Sequence, residues 1–200
     1  NTALKMGHKA ISVENVYTHA TEEALSSVMT PSQAVLEEYK KDSDVQSKEE
    51  ELYKMYLKLK EKFELKELVD TFSTLSDTKS VHEQTLLFTE NSLIEVYMEQ
   101  KKVFELHGRE EIENAFIPFL EPFKDVYHQG GQQTITELTD TTAKGTSYCL
   151  VVLVDEENGK KRITKHGVVY NDEFVKVNEK WYFEKRISNF IWTTIEFYEI

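Results

Sequence analysis

A chain of 200 residues, 40% hydrophobic, has the length and apolar content for one domain with a core of ordinary size. Its 24 Lys and Arg face 36 Asp and Glu, a formal charge of −12, which argues against nucleic acid and against an anionic membrane surface as partners. No apolar run approaches the roughly 20 residues of a membrane helix, so no membrane span is expected. Residues 1–20 show no clear period. Asn1 in place of an initiating Met leaves the compartment open between cytoplasm and export after signal removal. Thr30-Pro31-Ser32-Gln33 reads as a helix start, with Thr30 as cap, Pro31 in the first turn and Gln33 completing a capping box. The helix should run to about Lys41, with Val35, Leu36 and Tyr39 on one side. From Lys48 a second helical pattern extends to about Leu75. Leu52, Tyr56, Leu59 and Phe63 form one apolar stripe; Leu65, Leu68, Phe72 and Leu75 form another on nearly the opposite side. That change of face predicts a kink near Glu64 or two different neighbours. It also sets the expected boundary: a partly irregular N-terminal helical extension over 1–63, and a second domain over 64–200.

A short helix is predicted through Val81–Phe88, then a hairpin of Leu93–Met98 and Val103–His107 around Glu99-Gln100-Lys101-Lys102. His107-Gly108-Arg109 turns into another helix, where Glu110 and Glu111 suit the N-terminal dipole. Its buried face is Ile112, Phe116, Phe119 and Phe123, with Pro118 as a kink. Val126-Tyr127-His128-Gln129 then leads into Gly130-Gly131, paired glycines where a strand bends. The apolar run Tyr148–Val154 ends at Asn158-Gly159, a strong hairpin signal because both residues take φ > 0 at low cost. The chain returns through Val168–Val177, turns at Asn178-Glu179 and runs back as Lys180–Ile187. This order predicts an α+β fold, with helices on one face of a curved, mainly antiparallel sheet that encloses a cavity at one end. Apolar residues at successive positions in Thr146–Val154 suggest burial on both faces, hence a homo-oligomer, a dimer ahead of a trimer. Cys149 is a lone buried thiol, and His82, His107 and His166 lack ligand spacing, so no metal is expected.

Four stretches together carry a resemblance: Glu67–Asp77, Leu87–Ser92, His107-Gly108-Arg109-Glu110-Glu111-Ile112, and Tyr170–Lys176 followed by Trp181. In this order, over roughly residues 60–192, the chain resembles the SnoaL-like group of the nuclear transport factor 2-like superfamily. The resemblance implies a cystatin-like cone with a pocket, a fold that hosts cyclases, isomerases, dehydratases and plain binding modules. The dehydratases of that group that act on scytalone and on bile acids use an aspartate at the end of the first main helix and a histidine on a long strand. Those positions fall on Asp77 and His128. The catalytic tyrosine of the bile-acid enzymes falls on Phe72, their second aspartate near Val151, and the second histidine of scytalone dehydratase near Ser147. Half of the family's site is carried over.

The chemistry open to that half is proton transfer beside a carbonyl, since histidine titrates near neutral pH and a carboxylate can set its tautomer. Phe72, Tyr97, Ser147, Tyr148, Tyr170 and Trp192 are the expected substrate-binding walls. Read blandly, Asp77 caps the following helix and His128 is a hydrogen-bonded half-buried side chain. Two functions follow. One is a small-molecule-binding SnoaL-like domain without catalysis. The other is a cofactor-free lyase or isomerase acting on a hydrophobic polycyclic or aromatic compound through Asp77 and His128.

Overall fold

The structure, a computed structural model, describes residues 43–199; the helix start at Thr30 lies outside them. The chain divides into two compact units, Asn1–Leu57 and Lys58–Ile200. Helix α1, Ser43–Asp77, is unbroken, with no interruption at Glu64. From Leu65 onward its apolar stripe is buried: Leu65, Leu68, Val69 and Phe72 pack with Phe88, Ile94, Phe174 and Phe183 of the sheet. The helix ends in a Schellman turn, where Lys79 adopts φ 55° and the Ser80 N–H donates to the Leu75 carbonyl at 2.9 Å.

A short helix α2 (Val81–Thr85) precedes the hairpin β1 (Phe88–Met98) and β2 (Lys101–His107), and α3 covers Gly108–Leu120 with Pro118 inside it. Gly108 sits at φ 72° with Glu90's carbonyl oxygen 2.8 Å from where a Cβ would lie, so only glycine turns the strand into α3 here. The strands β3 (Asp125–Leu138), β4 (Thr142–Glu157), β5 (Lys160–Val177) and β6 (Lys180–Glu199) follow as a meander. The six strands form one sheet in the order β2-β1-β6-β5-β4-β3, antiparallel throughout except where β1 lies parallel to β6. The fold is therefore α+β with a curved mixed sheet. Three two-residue turns, Glu99-Gln100, Asn158-Gly159 and Asn178-Glu179, all place both residues at positive φ, the twist that antiparallel neighbours require. The first is tighter than the four-residue turn read from sequence, because Lys101 and Lys102 already pair in β2.

Three of the register shifts in the sheet bear on the site. Opposite Tyr148, β3 carries Gly131 and Gln132 as extra residues, so the Gly130-Gly131 bend is a bulge. Another register shift falls between Gly167 and Val168, and a third between Glu173 and Phe174. At the second, the Trp192 indole lies against Gly167 where any side chain would collide with it. The lower part of α1 is fastened to the far end of the sheet by Glu61. It accepts from Lys176 Nζ and from Trp181 Nε1, both at 2.6 Å. Burial opposes ionisation of Glu61, yet these two bonds and the Lys176 charge hold its carboxyl below the ordinary carboxylate range.

Candidate active site

The cavity of about 170 Å³ lies on the concave side of the sheet. Helix α1 contributes Phe72 and Ser76, and α3 contributes Ala115, Phe116, Phe119 and Leu120. Strands β1 and β2 add Ile94, Val96, Met98, Phe104 and Leu106; β3 and β4 add His128, Val151 and Leu153; β5 and β6 add Tyr170, Arg186, Ser188 and Phe190. Strand parity selects these residues. On β3, Val126 and His128 turn inward while Tyr127 stays 57% exposed; on β4 the buried residues at alternate positions are Ala143, Gly145, Ser147, Cys149, Val151 and Leu153.

The structure brings Asp77 and His128 together. His128 Nδ1 and Asp77 Oδ1 are 2.7 Å apart, and the His128 backbone N–H donates to Asp77 Oδ2 at 3.2 Å. Asp77 is the last residue of α1, and its carboxylate grips both ring and backbone of one residue, which fixes the orientation of the imidazole. The His128 side chain is 7% exposed, with the cavity in front of it and Asp77 behind.

Of the expected walls, Phe72 and Tyr170 line this cavity. Ser147 is buried beside Tyr170 in the β4–β5 register yet lies outside the lining. Tyr97 alternates with the lining residues Val96 and Met98, while Tyr148 and Trp192 are half-exposed and border a groove across the glycine-rich outer face. Ser76 and Ser188 are the serines of the cavity wall instead.

Arg186 is the residue that the sequence reading did not single out. It is 1% exposed, and its guanidinium carbon lies 4.3 Å from the Phe72 ring centroid and 4.2 Å from those of Tyr170 and Phe183. Nε and Nη2 donate to the two oxygens of Asp172 at 2.7 and 2.8 Å. Nη1 has no acceptor among the described residues. A buried, charged donor without a partner is costly, and native structures keep such groups where something else supplies the acceptor. Burial also raises the pKa of the Tyr170 hydroxyl, so it keeps its proton near neutrality. Cys149 is likewise pushed up to about 11 by burial, which leaves it a thiol rather than a nucleophilic thiolate.

A curved mixed sheet with helices packed on it, around an apolar-lined cavity, defines an α+β fold of the cystatin-like kind. Residues 58–187 match the SnoaL-like domain, and the chain belongs to that family. Among solved structures it is similar to a provisionally named scytalone dehydratase from Novosphingobium aromaticivorans. The two share 21% identity over 68% of this chain and 88% of the other, with a TM-score of 0.59. The hexachlorocyclohexane dehydrochlorinase LinA type 2 matches at 15% identity over 70% of this chain and 90% of its own, TM-score 0.59. ActVI-ORFA of Streptomyces coelicolor matches at 18% over 63% and 94%, TM-score 0.53. At these identities the likeness establishes the fold alone. No curated protein matches the chain.

Proposed function

We propose that this protein is a lyase or isomerase that removes a proton from the carbon beside a carbonyl, with His128 as the base. The observation that carries this reading is the Asp77–His128 pair at 2.7 Å with the imidazole facing an apolar-lined cavity. Asp77 is a positioning residue. It occupies Nδ1 and leaves the other ring nitrogen to meet substrate. As the proton leaves, the electron pair of the C–H bond moves into the carbonyl and charge gathers on its oxygen. Arg186 Nη1 is the donor suited to that oxygen, and at so buried a position such a bond is worth far more than in solution. The enolate then either expels a β-hydroxyl, which departs as water with the proton from His128, or takes the proton back at another carbon. Proton transfer by these side chains calls for no cofactor.

Cyclohexanone in D₂O tests the reading by NMR. The protein should speed exchange of the α-protons, and His128→Ala or Asp77→Asn should slow it by roughly a hundredfold or more, the usual scale for a positioned acid or base. Unchanged exchange in a folded His128→Ala variant would remove the catalytic claim and leave a binding module. Phe72 at the position of the family's tyrosine favours that second reading, since it offers no hydroxyl to assist a leaving group. We also keep homo-oligomer formation as a proposal. Ile191, Trp192, Ile195 and Phe197 are all half-exposed on β6, and light scattering at micromolar concentration reads the outcome.

A further inference from the structure

The polarity of the cavity runs opposite to that of an ordinary pocket. Its charged and polar groups are at the buried end: Arg186 is 1% exposed and the His128 side chain 7%. Its solvent end is apolar. Met98, Phe104 and Phe119 line the same cavity while 38%, 59% and 54% exposed, so they form its mouth on β1, β2 and α3. The enclosed volume of about 170 Å³ is close to that of an engineered cavity of about 150 Å³ that takes one benzene ring, and below the range typical of larger ligands. A volume of that size takes one ring, and a longer ligand extends through the mouth.

The charges narrow the head group. Arg186 is compensated by both oxygens of Asp172, and His128 is held by Asp77. A carboxylate ligand would add a third negative charge to two buried or half-buried ones, at high desolvation cost. A neutral carbonyl accepts from Arg186 Nη1 without that penalty.

We infer that the site takes neutral, ring-sized ketones or enones bearing an apolar tail, with the carbonyl at Arg186 and the tail lying across Met98, Phe104 and Phe119. This deepens the proposed function and rests on the same cavity. The tail would cover apolar surface that otherwise faces water, and a polar head would enter first.

The test uses 4-n-alkylcyclohexanones with methyl, butyl and octyl chains, with binding to the full chain measured by calorimetry. Affinity should rise about twofold per methylene, half the roughly fourfold of a fully buried methylene. The Phe104→Ser/Phe119→Ser double variant changes only exposed side chains, so it should fold, and it should flatten the octyl-to-methyl ratio. 4-Octylcyclohexanecarboxylate should bind at least tenfold more weakly than the octyl ketone. Affinity independent of chain length, a ratio unchanged in the double variant, tighter binding of the carboxylate, or no binding of any ketone would each overturn the inference. Proton exchange separates the two claims. Exchange without length dependence sinks the tail subsite and leaves the reaction standing; length-dependent binding without exchange does the reverse.

Discussion

Four residues hold the Arg186 guanidinium out of water: Asp172 through a two-point bond, and Phe72, Tyr170 and Phe183 through their ring faces. Removing the arginine alone strands a buried carboxylate. Arg186→Met should therefore cost about 3–5 kcal/mol in chemical denaturation, whereas Arg186→Met with Asp172→Leu should recover most of it. The sequence concealed this pair for a definable reason. An unbroken hairpin about Asn178-Glu179, with Val177 facing Lys180, would set Asp172 against Lys185. The irregularity between Glu173 and Phe174 moves it to Arg186. The shift at Gly167 does the same to Trp192. Arg186, Ser188 and Phe190 point inward at alternate positions, but Ile191 is an extra residue, and Trp192 falls on the outer face against Gly167. Asp77 and His128 came from the resemblance to the SnoaL-like group, whose aspartate and histidine positions fall at a helix end and just before the paired glycines, and neither depends on counting across a bulge.

At the level of elements, the Glu61 contact joins two pieces far apart in sequence, the lower part of α1 and the β5–β6 turn region. Lys176 is 8% exposed at its side chain, so losing Glu61 leaves a nearly buried ammonium with only the exposed Glu179 at 4.0 Å, and an unmet indole N–H. Glu61→Ala should lower stability by about 1–3 kcal/mol in urea unfolding, and Trp181→Phe by less, because it removes the donor along with the bond. The order of helices and strands, and two of the three tight turns, could be read from periodicity and from Asn at the turn positions. Glu99-Gln100 could not, since neither residue favours positive φ and the turn is imposed by the strands it joins. The unbroken course of α1 was also hidden. Its two apolar stripes imply a break only if both must face one neighbour, and the exposure of Leu59 and Phe63 removes that condition.

For the whole molecule, acid should act through one histidine before the carboxylates. His166 lies under Phe190 and donates to or accepts from Thr193 at 2.8 Å, and its burial lowers its pKa below the ordinary 6.5. The folded state thus binds a proton less readily than the unfolded chain. The His166 contribution is complete above about pH 6.5 and declines as pH falls from there toward the lowered folded value. His166→Gln should flatten that part of the stability curve in denaturant titrations between pH 7 and 5.5. Only at lower pH should Glu95 join in, because Lys185 and Lys102 hold its carboxyl below the usual range.

The parallel pairing of β1 with β6 has a temporal meaning. Ile94 lies beside Arg186 and Met98 beside Phe190, contacts that span about ninety residues of chain. As the chain is made, the β1–β2 hairpin and α3 can pack on α1, but β1 has no parallel partner until the meander has been made. Asp77 and His128 can meet early. The arginine that completes their cavity and the wall that shuts it both lie on β6, so a chain stopped short of β6 has the dyad and no pocket.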